Sequence, residues 1–212
     1  MKKKPITALI YDLDGTIIDS HRDLWIATNV MLTHFGLTPK SEEEVKSYIG
    51  RGVKNLVSRA LDGNEDLYAE GFAILRNYYA RHLTEHTTLN EGVVEVLDHF
   101  KDKKQFVLSN KLDEETKMII QQLNVASYFT DIVGDTEGMP IKPDPTKLLA
   151  ILNKYGINRQ EAVMVGDSAI DIETGYHAGV TTVFIQGGLG KAGDIKPDIV
   201  VGRIIELRDY FT

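Results

Sequence analysis

The sequence predicts an α/β protein: a doubly wound sheet of parallel strands interrupted by an all-helical insert. Three observations lead there. Short apolar, β-branched runs alternate with stretches of helical period through the second half of the chain, the pattern of parallel strands joined by crossover helices. These runs are apolar at nearly every position, as burial on both faces requires. Between the first apolar run and all the others lies a long helical stretch without a strand signal.

The first run, Ile6-Thr7-Ala8-Leu9-Ile10-Tyr11, breaks off at Asp12-Leu13-Asp14-Gly15-Thr16. Residues two apart on a strand point the same way, so Asp12 and Asp14 are expected to project together from its end. Like charges crowded at one spot need a cation or proton chemistry to offset them. Strand ends are also where open α/β sheets build their sites.

The helical stretch runs from about Asp19 to Thr88. Residues 21–36 place Leu24, Thr28, Met31 and Phe35 on one face. Ser41 with Glu44 forms a capping box that opens a helix ending near Gly50. Residues 52–61 and 65–83 continue the helical pattern. The expected organisation is a Rossmann-like core split into residues 1–18 and 89–212, with residues 19–88 as an inserted domain. The connections at 18–20 and 86–91 would form a hinge.

In the second half, residues 91–100 present Val93, Val94, Leu97 and Phe100 on one helical face, and 116–123 present Ile119, Ile120 and Leu123. Asp144 and Pro145 read as N-cap and first helical residue, with Leu148, Leu149, Leu152 and Tyr155 as the buried stripe before Gly156. Strands are expected at 105–108, 131–133, 162–165, 181–185 and 199–201.

A chain of 212 residues accommodates one ordinary domain and a smaller one. A net charge of −7 argues against a nucleic-acid or anionic-membrane surface. The basic run Lys2-Lys3-Lys4 reads as a solvated tail. With no cysteine, disulfides, thiolate metal sites and cysteine nucleophiles are excluded. The apolar stretch after the lysines ends at Asp12 with no small-residue cleavage site, unlike a signal peptide. No run approaches transmembrane length, so a cytoplasmic protein is expected, with no nucleic-acid or membrane partner and acting as a monomer or homodimer.

Three further positions follow strand ends or helix starts. Ser109-Asn110-Lys111 offers a hydroxyl and N–H groups that can hold phosphate oxygens, although alone it would read as a turn. Lys142 is kept extended by Pro143 at the mouth of the next helix, where its ammonium suits a phosphoryl oxygen or a carboxylate. Gly166-Asp167-Ser168-Ala169-Ile170-Asp171 is another acidic strand end, with a second carboxylate four residues on. Asp167 could complete a hard-cation oxygen site with Asp12. Each is weak alone, and their order and placement make the signal strong.

Taken together, these motifs resemble those of the haloacid dehalogenase superfamily of phosphohydrolases over nearly the whole chain. Asp12–Thr16 is similar to the first motif of that family, Ser109 to the second, Lys142 to the third and Gly166–Asp171 to the fourth. The helical insert resembles the family's mobile cap. Within the superfamily the likeness is strongest to phosphoglycolate phosphatases, through Ile49-Gly50-Arg51-Gly52-Val53-Lys54-Asn55-Leu56, Arg59-Ala60-Leu61 and the Ser109-Asn110-Lys111 triplet.

The resemblance implies that Asp12 attacks phosphorus and that Asp14 serves as acid and then base. It implies Mg2+ held by the carboxylates of Asp12 and Asp167 and the backbone carbonyl of Asp14. Lys142 and Ser109 would offset phosphoryl charge, helped by N–H groups around Leu13, Asp14 and Asn110, and Asp171 would orient Lys142 or a metal-bound water. Thr16 is expected beside the substrate, and Arg51 and Lys54 are the cap residues that could meet a substrate carboxylate. The expected partner is a small phosphorylated metabolite, first of all 2-phosphoglycolate.

A sugar phosphomutase, an inorganic pyrophosphatase or a nucleotidase of the same superfamily competes with this reading. Dehalogenation is disfavoured, since those members lack the second aspartate that Asp14 provides. A phospho-aspartate signalling module also uses an acidic cluster and a lysine, but needs neither the insert nor Asp14. His82-Leu83-Thr84-Glu85-His86 spells an inverted zinc-protease pattern and is set aside as surface residues. Gly187-Gly188-Leu189-Gly190-Lys191 fails the nucleotide-loop pattern at Ile185 and Ala192 and reads as a flexible loop bordering the site. Trp25, Tyr78 and Tyr79 read as packing residues, with Trp25 near enough to the hinge to touch substrate.

Overall fold

The computed structural model describes residues 3–212, so Lys2 of the basic run lies outside the described residues. Strand β1 is Ala8–Tyr11, every residue of it buried. After the Asp12–Thr16 turn come β2 (Ile18–Asp19) and helices α1 (His21–His34), α2 (Glu42–Lys46), α3 (Gly52–Ala60) and α4 (Glu65–Tyr79). The chain returns through β3 (Thr88–Leu89) to α5 (Val93–His99), β4 (Lys104–Leu112), α6 (Asp113–Gln122) and β5 (Asp131–Asp135). It closes with α7 (Thr146–Lys154), β6 (Ala162–Gly166), α8 (Ala169–Ala178), β7 (Thr181–Ile185), β8 (Ile199–Val201) and α9 (Leu207–Tyr210).

Six strands form one sheet in the order β5-β4-β1-β6-β7-β8, and every pairing in it is parallel. The chain winds outward from β1 through β4 to β5, then returns to β6 on the other side of β1. That reversal is the switch point at which doubly wound sheets open a crevice. Alternation along β1 sends Leu9 and Tyr11 into one apolar cluster and Ala8 and Ile10 into another, so both faces are covered. The first cluster continues into the helical insert through Met31, Leu56, Leu75 and Tyr79.

Several expected boundaries are corrected. The two connections to the insert pair with each other: Ile18 faces Leu89 and Asp19 faces Thr88 in an antiparallel ribbon, where no strand was expected. Two residues per strand are too few to carry a period. Helix α6 starts at Asp113 rather than Thr116. Its first turn, Asp113-Glu114-Glu115, is polar and hides the apolar period, yet acidic groups are favoured at a helix N-terminus. Helix α7 starts at Thr146, with Pro145 as N-cap; Asp144 stands one residue earlier and still accepts the Thr146 N–H at 2.8 Å. Helix α4 stops at Tyr79, four residues before the expected end. The Ser41–Glu44 capping box forms as expected.

The largest departure is in β4. Its expected end at Leu108 left Ser109-Asn110-Lys111 in a turn, but the strand continues to Leu112. Pairing with β5 shifts register between Leu108↔Val133 and Leu112↔Asp135, four steps on one strand against two on the other. Bulges of this kind re-aim side chains and recur beside active sites. Here the irregularity falls on the triplet that faces Asp12.

Candidate active site

The register brings three neighbouring strands, β4, β1 and β6, to one level. Tyr11 pairs with Val107 on one side and Val165 on the other, and the Asp12 N–H donates to Val165 O at 2.8 Å. Asp12, Ser109 and Asp167 therefore converge beyond the end of β1, and all three are buried. Lys142 arrives on the loop before α7, and its Nζ donates to Asp12 Oδ1 and to Asp171 Oδ1, each at 2.7 Å.

Asn110 fixes that lysine. The Lys142 N–H donates to Asn110 Oδ1 at 2.8 Å, and Asn110 Nδ2 donates to Lys142 O at 2.9 Å and to Gly50 O of the insert at 3.0 Å. The Asn110 side chain is thus committed to the backbone on both sides of the crevice. Ser109 Oγ accepts the Lys111 N–H at 3.1 Å, which leaves its own O–H free to donate.

Carboxylate crowding occurs among Asp12, Asp167 and Asp171, one oxygen of each lying within 4.8 Å of the others. Asp14 is not in that group: its Oδ1 accepts from Ser20 Oγ and lies 3.3 Å from Lys111 Nζ. The pair expected at the strand end is therefore divided, because both residues stand past β1 in a turn where strand alternation no longer applies. Asp171 spends Oδ2 on the N–H and O–H of Ser168 at the start of α8, at 3.2 and 2.6 Å. Asp167 Oδ2 accepts N–H groups from Leu189 and Gly190 at 2.6 and 2.8 Å. The 187–191 loop borders the site as expected and adds these two donors. Its Gly188 and the Gly15 of the first motif are needed there, since a Cβ on either would fall 2.3 or 2.2 Å from Asp167 Oδ2.

Burial pushes Asp12 well above the usual carboxylate range, with Asp171 and Asp167 adding to the rise and Lys142 opposing it. Burial, then Asp171, pushes Asp167 up to about 6 against the N–H groups of Gly190 and Leu189. Burial opposes the Lys142 ammonium, but Asp12 and Asp171 outweigh it and raise its pKa. Three carboxylates facing one ammonium leave unbalanced negative charge among oxygen donors, and that donor set fits a hard dication such as Mg2+.

Two cavities meet at Asp12 and Asp14. The inner one, of about 40 Å³, is walled by Leu24, Val53 and Leu56 and carries Ser109, Lys111, Tyr79 and Glu115. The outer one, of about 330 Å³, is lined by Asp167, Ser168 and Arg51. Thr16 is buried, and its Oγ1 donates to Asp167 Oδ1 at 3.4 Å. Lys54 is exposed on α3 and lines neither cavity.

The sequence reading missed Lys111, Tyr79 and Glu115 as site residues. Lys111 Nζ donates to the Tyr79 hydroxyl at 2.9 Å. Burial opposes its ammonium, and Asp14, Tyr79 and Glu115 outweigh that effect. Tyr79 lay on an apolar helical stripe and Glu115 on a polar one, so neither pattern set it apart; the adjacency of Lys111 to Ser109 was the one usable signal. Trp25 stands away from the site, where its Nε1 donates to Lys40 O at 3.0 Å. His82 and His86 engage separate carboxylates, Glu85 at 2.6 Å and Asp23 at 2.7 Å, and form no shared metal site among the described residues.

Comparison with known proteins points to one family. Residues 9–185 match the family model described as haloacid dehalogenase-like hydrolase. A phosphoglycolate phosphatase of Chromobacterium violaceum is 34% identical over 217 residues, covering 99% of this chain and 98% of its own. One from Aquifex aeolicus is 36% identical over 203 residues, covering 94% and 93%. Among solved structures, a predicted phosphoglycolate phosphatase from Haemophilus somnus superposes with a TM-score of 0.90 at 26% identity, covering 96% of this chain and 97% of its own.

Proposed function

This chain belongs to the haloacid dehalogenase-like hydrolase family, and from that membership we propose a Mg2+-dependent phosphatase that cleaves 2-phosphoglycolate to glycolate and phosphate through an aspartyl-phosphate on Asp12. The observation that carries the proposal is the Lys142 ammonium bridging Asp12 and Asp171 beside Asp167. It holds Asp12 by Oδ1, and no hydrogen bond among the described residues engages Oδ2. That oxygen attacks phosphorus, and the ester oxygen departs.

Asp14, on the inner-cavity side, delivers a proton to the departing alkoxide and then removes one from the water that cleaves the acyl phosphate. Ser109 O–H and Lys142 N–H donate to phosphoryl oxygens, and Asp171 keeps Lys142 aimed. Asp12 and Asp167, with the Asp14 backbone carbonyl, would hold Mg2+, which would supply positive charge to offset the phosphoryl oxygens. Phosphoryl transfer asks mainly for positioning and charge compensation, which this set provides.

The name shared by the relatives supports a small leaving group. Residues 19–88 act as a cap that excludes water when seated and releases product when raised, turning on the β2–β3 ribbon. Arg51, at the outer cavity, is placed to meet an incoming anion.

A phosphate-release screen over 2-phosphoglycolate, sugar phosphates, nucleotides and pyrophosphate tests this reading. It predicts the highest kcat/KM on 2-phosphoglycolate, with activity abolished by chelation and in Asp12→Asn. Isomerised sugar phosphate with little free phosphate would favour a mutase instead.

A further inference from the structure

We propose that Lys111 and Tyr79 form a two-donor clasp for a carboxylate on the leaving group, making them the specificity-determining pair of the enzyme. The inference rests on the phosphatase reading above and assigns the part of the substrate that the phosphoryl-handling residues never touch.

Lys111 is the only cationic side chain lining the inner cavity among the described residues, where it faces Asp12, Asp14 and Glu115. An anionic leaving group seated there meets no other cationic side chain on the wall of that cavity among the described residues. Of the cap cations, Arg51 lines only the outer cavity and Lys54 neither.

The ammonium has donors to spare. One N–H goes to the Tyr79 hydroxyl at 2.9 Å, Asp14 Oδ1 lies at 3.3 Å, and a third N–H remains. Tyr79 accepts from Lys111, and no hydrogen bond among the described residues uses its own proton. An N–H and an O–H side by side suit the two oxygens of one carboxylate. Their position suits it as well. Lys111 lies within 3.3 Å of the group that protonates the ester oxygen, so a carboxylate one carbon from that oxygen falls within its reach.

The surroundings are built to hold the clasp. Glu115, 4% exposed, stands on the same cavity with a buried Oε1 that lacks a hydrogen-bond partner and has Arg76 Nε at 3.9 Å. The two donors also come from different parts of the chain, Lys111 from the bulged end of β4 and Tyr79 from the last residue of α4. The clasp is complete only with the insert seated on the sheet, so reading the carboxylate and closing the site are one event.

The test compares 2-phosphoglycolate with 2-hydroxyethyl phosphate, which replaces the carboxylate by a neutral group. The wild-type enzyme is expected to prefer the carboxylate ester. Lys111→Met should lower that preference, taken as a ratio of kcat/KM values, on the order of 10²-fold, and Tyr79→Phe on the order of 10-fold. A ratio unchanged in both variants while the two rates fall together would overturn the proposal, since Lys111 would then act only on Asp14. Calorimetric titration with glycolate provides a readout without turnover. Glycolate binding to wild type that is lost in Lys111→Met, in a protein that releases no phosphate, would sink the phosphatase reading and leave the clasp standing. Should Lys111→Met fail to fold, Tyr79→Phe carries both measurements, and glycolate binding undiminished in it would overturn the clasp.

Discussion

Lys142 has the most to balance of any single residue. Its ammonium is buried between Asp12 and Asp171 with Asp167 close by, and its raised pKa keeps it charged throughout the working range. Lys142→Ala should lower kcat on the order of 10²–10³-fold at saturating Mg2+, the loss typical of a charge-stabilising donor; an unchanged kcat would remove Lys142 from the transition state. At this scale the sequence was most informative where a residue's type already implied chemistry. Asp12, Ser109, Lys142, Asp167 and Asp171 stand together as their motifs implied. Nothing in the surroundings of Asn110 along the chain reveals that it bridges Lys142 and Gly50. Tyr79 sits on a buried helical stripe, and a tyrosine there carries no mark in the sequence of where its hydroxyl ends.

At the scale of elements, the connection between insert and sheet is held by one carboxylate. Asp23, near the start of α1, accepts the N–H groups of His86 and Thr87 and the Thr87 hydroxyl at 2.8–3.1 Å. Burial works against that carboxylate, but these donors outweigh it and hold its pKa below the usual value. A carboxyl depressed in the folded state contributes stability that is present above its ordinary pKa of about 3.9 and is lost as the pH falls through its lowered folded value. Asp23→Ala should therefore unfold more readily than wild type at pH 7, by about 1–3 kcal/mol. The gap should close in acid once wild-type Asp23 is protonated. Denaturant titrations of both proteins at neutral and acid pH check it, and a gap independent of pH would contradict it. Compact apolar, β-branched runs were legible in the sequence: β7 and β8 fall on their expected residues. The β2–β3 ribbon and the β4 bulge were not, because both are set by partners distant in sequence.

For the whole molecule, alternation of strand and helix was enough to identify the doubly wound core, and the one long gap in it marked the insert. What the pattern could not convey is that the sheet and the insert each supply one member of the Lys111–Tyr79 pair on the inner cavity. It also could not convey that the three crowded carboxylates exclude Asp14. These are relations between surfaces, decided by packing. The central claim, that Asp12 captures the phosphoryl group, is tested most directly by rapid quenching of the enzyme during turnover of 2-phosphoglycolate with Mg2+, followed by peptide mass analysis. The account predicts a transient phosphoryl adduct on Asp12 that is absent in Asp12→Asn; steady phosphate release with no adduct on Asp12 at any time, or an adduct on another residue, would contradict it.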